Sequence, residues 1–388
     1  MDGAAASSPL ILEDGAGLGN RLSFELADAS HDAALRRLLR DSPMPGSISV
    51  SLQREPSFFA AEALLGAEHS TIVAMEGDHV VAAGSISARQ RFINGEAMRV
   101  GYLSGLRLSP SCRGRSDIIR RGYEAFRKLH EQGGPPIYLS SIIADNFPAR
   151  RFLERGLRGM PTYHYLGDLA TLVIRRPLFS QLRDRTFSIR RRIERAGMRL
   201  FPGSCARTGD LANLMNEHNR QYQFAPAWST SEICPGKTLI LRSKNGPVAC
   251  AAIWDQRSVK QTVVRGYSGA LLWARPFLNF AAMMLGAPRL PRVGTTLSHV
   301  YVSHLAGDAD RPEIARWLIH SLFGSPEART ADYLTLAFDS RDTRLPYFRK
   351  KFPTREYRSR IYAVCWDDGA DLARKLDGRL LAPEVATL

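Results

Sequence analysis

Apolar positions alternate with polar ones in some short runs and recur every three to four residues in others, and the two patterns succeed one another twice along the chain. "LSFEL" from Leu22 predicts a strand, and "ASHDAALRRLLRD" has apolar residues at helical spacing. "EPSFFAAEALLGA" predicts a second helix opened by Pro56 and Ser57. From Ser70 the run "STIVAMEGDHVVAAGSISARQRFINGEAMRVGYLSGLRLSP" is strand and turn, with hairpins closing at "EGD" and "NGE". A helix over Ser116 to His130 follows, then the strand "PIYLSSIIA", the helix "FPARRFLERG" and the strand "PTYHYL". The order β-α-α-β-β-β-α-β-α-β predicts an α/β chain, more closely an α+β mixed sheet with helices on both faces.

The order then begins again. "TGDLANLMNEHNRQY" is helical, "KTLILRSKNGPVACAAIW", "SVKQTVVRGYSG" and "SHVYVSHL" read as strands, and "RPEIARWLIHSLFG", "ADYLTLAFD", "TRLPYFRKKF" and "YRSRIYAVCW" complete the series. Phe152 and Tyr347, in matching helices, stand 195 positions apart. Two copies of one fold follow from this periodicity, and 388 residues suffice for two cores. The expected organisation is a mobile leader over 1–20, a first copy over 21–170, a linker over 171–200, a second copy over 201–366 and a tail over 367–388. The linker stretch holds nine arginines against Asp184 and Glu194. It reads as a solvated helix or as a docking surface for an anionic partner.

Composition narrows the class. Hydrophobic content of 44% and charged content of 23% suit a globular protein. The first twenty residues lack the basic and apolar regions of a signal peptide. The run "ALLWARPFLNFAAMML" is interrupted by Arg275 and Pro276 and is shorter than the ~20 residues of a spanning helix. Five cysteines without a C-x-x-C pair, and without histidine at zinc spacing, predict reduced thiols, no metal site and a cytoplasmic location. The net charge of +15 comes from 46 arginines and only seven lysines, and it attracts anionic ligands or surfaces without naming them.

One junction asks for an anion. A strand runs through Pro110 into "CRGRSD" and directly into a helix, so Arg113 and Arg115 stand at the positive end of the helix dipole. Cations there are unfavourable unless an anion sits between them and the helix amides. Amides from about Gly114 to Ile118 would face it, and Ser116 adds a hydroxyl.

With its flanking elements, "PSCRGRS" followed by helix, strand and "DNFPARRFLERG" resembles the GCN5-related N-acetyltransferase (GNAT) superfamily, and the two copies together resemble its tandem members. The resemblance implies two acyl-CoA N-acyltransferase-type domains and acetyl-CoA or another acyl-CoA as cosubstrate. It implies direct acyl transfer to an amine, on a small molecule or a peptide. It places the pyrophosphate on Arg113, Gly114, Arg115, Ser116, Asp117 and Ile118, although Ser116 and Ile118 replace the family's small residues. Leu106 and Leu108 would border the cofactor on the preceding strand, and Asn146, Ala149 and Phe152 would meet the pantetheine arm. Leu153 stands where the family often has a tyrosine acid. Ser104 and Gly105 suit the family's strand bulge, whose N–H polarises the thioester carbonyl. No carboxylate lies between Ala97 and Leu108. Glu96, Tyr102, Tyr163 and His164 therefore stay as candidates for taking the amine's proton, through a water relay.

In the second copy Arg113 maps to Asp308 at the 195 offset, and Asp308 with Asp310 predicts repulsion of a diphosphate. The aromatics of "YQFAPAW" and "LLWARPFLNF" read mainly as core, with a possible share in an acceptor pocket. Two rivals stay open: a Fem-like transferase using charged tRNA, and a degenerate pair that binds a partner or an anionic surface without catalysis.

Overall fold

The computed structural model describes residues 22–66, 68–176, 189–285, 289–307 and 311–388. The leader, the central part of the arginine-rich linker, and the Asp308 and Asp310 expected near a phosphate lie outside them.

The first half of the chain, expected as the first copy, contributes β1 (Leu22–Leu26), α1 (Asp32–Asp41), β2 (Ile48–Gln53), β3 (Glu68–Glu76), β4 (His79–Ile93), β5 (Glu96–Leu108), α2 (Ser116–Glu131), β6 (Tyr138–Ile143), α3 (Phe147–Leu153) and β7 (Thr162–Arg175). The second contributes β8 (Arg199–Pro202), α4 (Thr208–Asn219), β9 (Thr238–Ser243), β10 (Gly246–Trp254), β11 (Gln261–Tyr267), α5 (Gly269–Met284), β12 (His299–Ala306), α6 (Pro312–Leu322), β13 (Tyr333–Asp339), α7 (Leu345–Lys351) and β14 (Thr354–Cys365). Two details differ from the sequence expectation. The segment after Pro56 is a 3-10 turn over Phe59–Leu65 instead of an α-helix. The strand β2, unmarked by a long apolar run, pairs with β11 as a separate two-stranded ribbon. The last 22 residues are packed into the body, with Leu381, Ala386 and Thr387 buried.

Twelve strands form one sheet in the order β1-β3-β4-β5-β6-β14-β7-β13-β12-β10-β9-β8. The centre of this order shows an exchange. β14, from the end of the second copy, pairs with β6 of the first, and β7, from the end of the first copy, pairs with β13 of the second. β7 and β14 also pair with each other along their full lengths.

The cores follow the exchange. On one face α2 covers a core of Leu22, Phe24, Leu103, Ile118, Phe126 and Tyr138 that also takes Tyr362 and Val364 from β14. The matching core under α6 and α7 takes Ala170, Leu172 and Ile174 from β7. Each copy's apolar face is thus completed by the other's last strand, as burial of alternate residues on a central strand requires. On the opposite face α1 and α4 cover smaller clusters. Between them Val100, Tyr102, Phe224, Ile361 and Leu381 pack at the junction of the copies. Tyr222, Phe224 and Trp228 of "YQFAPAW" are core, as expected.

Candidate active site

β5 and β6 run parallel only through Gly101↔Tyr138, Tyr102↔Leu139 and Leu103↔Ser140. Beyond Leu103 the ladder stops, so Ser104 to Leu108 and Ser141 to Ile143 border a slot in the sheet. The other edge of β5 shows the cause. Register with β4 jumps from Ser85↔Ser104 to Ala83↔Arg107, so Gly105 and Leu106 together oppose Gly84. Such a bulge bends its strand away from regular pairing and re-aims its backbone groups. Gly105 has φ +67°, where an L side chain costs about 1–2 kcal/mol, and it is exposed although it lies inside a strand.

The slot leads to the start of α2. β5 continues through a 3-10 turn at Pro110–Cys112 and through Gly114, at φ +89°, into a helix without a side-chain cap. Arg113, Gly114, Ser116 and Asp117 are exposed, whereas Ile118 is buried beneath the helix. The two arginines differ. Arg115 is held by Asp117 at 2.6 Å and Glu76 at 3.2 Å, and Arg113 is turned to solvent. Leu106 lies against Gly84 and Leu108 borders the α2 core. Asn146 caps α3, its Oδ1 accepting from the Ala149 N–H at 3.3 Å, and Ala149 and Phe152 pack at the edge of the α2 core. Leu153, in the place of the absent tyrosine, is a core residue.

The proton-transfer candidates are not gathered. Tyr163 is on the α2 side, 2.5 Å from the Tyr123 hydroxyl, and burial pushes its phenol up to about 12. His164, next along β7, faces the other side of the sheet, where its Nε2 is buried without a partner. Tyr102 also faces that side, and burial raises its phenol well above the ordinary value, so it keeps its proton at neutral pH. Glu96 is exposed at the far end of β5.

A different set of groups meets the bulge. A Cβ on Gly105 would stand 3.4 Å from the Ser85 hydroxyl. Ser85 lies 2.8 Å from the Thr71 hydroxyl, Thr71 donates to Glu62 at 3.0 Å, and Glu62 meets the His69 ring on its other side. Glu62 is 2% exposed, so its carboxylate is satisfied by these neighbours rather than by water. Glu62 and His69 also line a cavity of about 500 Å³ that includes Asp32, Ser57 and Phe59. Nothing local in "FAAEALL" marks Glu62 as buried; a helical reading of the segment hides it.

The same face is rich in cations. Arg54, Arg89, Arg91 and Arg107 are all lowered from the ordinary arginine range by burial, Arg91 to about 10. Lys260 is pulled down to about 7 by burial and by Arg54 and Arg89. The β2–β11 ribbon brings it there, since Gln53↔Gln261 places Arg54 and Lys260 side by side. Arg54 Nη1 has no hydrogen-bond partner but is ion-paired with Glu62 at 3.9 Å, and Arg91 Nε is buried without a hydrogen-bond partner.

The second copy repeats the architecture and fills it. β12 runs parallel to β13 only through Tyr301↔Thr335, and its register with β10 jumps from Ala252↔Ser303 to Cys250↔Ala306. Tyr301, Ser303, His304 and Leu305 thus match Tyr102, Ser104, Gly105 and Leu106, at 199 positions on these strands rather than 195. His304 has φ +54°, its ring stacks on Trp228 at 4.1 Å, and burial lowers its pKa to about 4. The chain's own tail crosses this slot. Leu381 N–H donates to Asp339 at the end of β13, at 2.8 Å, and Glu384 accepts from the Ser303 hydroxyl on β12, also at 2.8 Å.

No protein-family model and no curated protein sequence matches the chain. Solved structures do. Saccharomyces cerevisiae N-myristoyltransferase with bound myristoyl-CoA is similar at TM-score 0.55 and 11% identity, over 92% of this chain and 84% of that one. The GCN5-related glucosamine N-acetyltransferase region of a fungal multi-domain GH3 β-N-acetylglucosaminidase is similar at TM-score 0.56 and 11% identity, over 90% of this chain and 39% of that one. A GCN5-related N-acetyltransferase from Kribbella flavida is similar at 14% identity and TM-score 0.38, over 76% of this chain and 59% of that one. The fold rests on the first two: it is a mixed α/β sheet with a split parallel pair. More narrowly, the chain shares its fold with the GCN5-related N-acetyltransferase region and with the N-myristoyltransferase.

Proposed function

We propose that the chain is an acyl-CoA-dependent N-acyltransferase, an acetyltransferase in its simplest form, with its chemistry in the first copy. The carrying observation is the open slot at Gly105, where β5 leaves β6 and leads to Arg113 and the uncapped start of α2. Acyl-CoA lies in this slot with its diphosphate against Arg113 and Gly114. Its thioester carbonyl lies at the Ser104–Gly105 bulge, where a backbone donor stabilises the developing oxyanion.

The amine nitrogen attacks the thioester carbon from the Ser85 side. The C–N bond forms, the C–S bond breaks, and coenzyme A leaves as a thiolate that needs little acid assistance. The proton lost by the amine passes to Ser85, from Ser85 to Thr71, and from Thr71 to Glu62, along the orientation in which Thr71 already donates to Glu62. This route replaces the tyrosine and histidine relay expected from sequence. The cations around it favour an acceptor that carries an anionic group beside its amine, such as an amino acid or acidic peptide.

The test is calorimetric titration with acetyl-CoA and longer acyl-CoAs, followed by an assay of acyl transfer to amino acids, peptides and neutral alkylamines. Binding with turnover on anionic amines is expected. Binding of charged tRNA without binding of coenzyme A would favour the Fem-like alternative, and coenzyme A binding without turnover on any amine would favour a binding protein.

A further inference from the structure

The insertion between β11 and β12 has its polarity turned inside out. Expected mainly as core, the aromatic run forms α5, and no residue of that helix is buried. Trp273 is 82% exposed, Phe277 79%, Met284 70% and Phe280 63%. Their spacing of i, i+4, i+7 and i+11 puts all four within about 60° of one another around the helix. The polar residues point the other way. Asn279 exchanges two hydrogen bonds with the backbone of Leu290, and Arg275 lies over the Tyr267 ring at 5.4 Å. A surface helix ordinarily buries its apolar stripe and hydrates its polar one; this helix leaves its aromatic stripe in water and turns half-buried Arg275 and Asn279 toward the protein.

Charge identifies what covers the stripe. From Gln256 to Gly307 the chain has no acidic residue, while Arg257, Lys260, Arg265, Arg275, Arg289 and Arg292 all lie within that span. Arg275, Arg289 and Arg292 line a groove of about 420 Å³ beside α5, together with Asn279 and Pro291. An aromatic stripe with guanidinium groups at its base matches the interface of a bilayer, where rings enter the acyl boundary and arginines meet phosphates. The helix is too short to cross: sixteen residues span about 24 Å against a hydrocarbon thickness of about 30 Å. No described helix is long and apolar enough to span a membrane. A second copy of the chain fits less well, because pairing two α5 helices would bring two acid-free cationic segments together.

We propose that α5 docks the protein on the surface of anionic phospholipid bilayers, with Trp273, Phe277, Phe280 and Met284 in the interface and Arg289 and Arg292 on the lipid phosphates. This is independent of the acyl-transfer reading. The test is co-sedimentation of the full chain with phosphatidylglycerol-containing vesicles and with pure phosphatidylcholine vesicles, alongside its mass in solution. Binding to the anionic vesicles, weakened by salt, is expected. Trp273→Ser with Phe277→Ser should reduce it at least tenfold, as should Arg289→Glu with Arg292→Glu. The replaced side chains are exposed, so circular dichroism and melting temperature should stay at wild-type values. Equal binding by the variants, equal binding to both vesicle types, or no vesicle binding would overturn the proposal. So would a solution dimer that Trp273→Ser dissociates, which would give the stripe to a second copy.

Discussion

The Glu384 carboxylate takes the hydroxyl of Ser303 at 2.8 Å, and Ser303 holds in the second copy the place that Ser104 holds in the first. Burial raises the Glu384 pKa, while Ser303, the amides of Ala386 and His304, and Arg89 pull it down. One bulge is therefore occupied by the chain's own acid and the other is exposed to solvent.

The binding stoichiometry follows. A saturating titration should give one coenzyme A per chain, because the tail from Leu381 to Glu384 fills the second slot. Two equivalent sites would show that the tail leaves its place and that the slots are alike.

Arg113 and Arg115 should differ in their effect on that titration. Arg113→Ala should weaken acyl-CoA binding about tenfold, the scale of one charge-assisted contact at an open site. Arg115→Ala should change it less, because its guanidinium is held by Asp117 and Glu76. The reverse order in calorimetry would move the phosphate site to Arg115.

Glu62→Gln keeps an acceptor for Thr71 but cannot take a proton at neutral pH. Turnover should fall by about 10²-fold or more, with coenzyme A affinity unchanged. Tyr102→Phe and His164→Ala should each cost about tenfold or less, and Tyr163→Phe should act mainly on stability, through the lost contact with Tyr123. Steady-state rates over a pH series decide it. Near wild-type turnover in Glu62→Gln would end the relay.

Lys260 makes a pH-dependent contribution to stability. Its pKa is about 7 in the folded chain and near 10.4 in an unfolded one, so between these values the unfolded chain binds more protons. Stability should therefore rise from pH 7 toward pH 10, by up to about 1.4 kcal/mol per pH unit from this group. Lys260→Met should flatten that rise in urea unfolding at pH 7, 8 and 9. An unchanged slope would mean that Lys260 is not desolvated.

Much of the fold was legible because it is carried by local pattern. The hairpin at "NGE", the α2 and α3 helices and the Gly105 bulge all rest on residues that signal themselves. The offset drifted because loops differ in length: the bulged strands match at 199 positions, while the starts of α2 and α6 match at 196. What stayed hidden depends on distant partners. Glu62 becomes a buried acid only where β3 and β4 bring Thr71 and Ser85 beneath it. Glu384 gains its role only where the tail folds back across β12. The α5 aromatics misled for the opposite reason, since an apolar run reads as core until its neighbours are known.

The crossing of β7 and β14 changes what can be removed from this protein. A gene cut near residue 176 would leave the first copy without the strand that closes β6, exposing a row of unpaired N–H and C=O groups and removing Tyr362, Val364 and Trp366 from its core. The copy whose slot is blocked is thus a permanent subunit carried within the same polypeptide. Heating should melt both copies in one calorimetric transition, and separately produced halves should regain structure only when mixed.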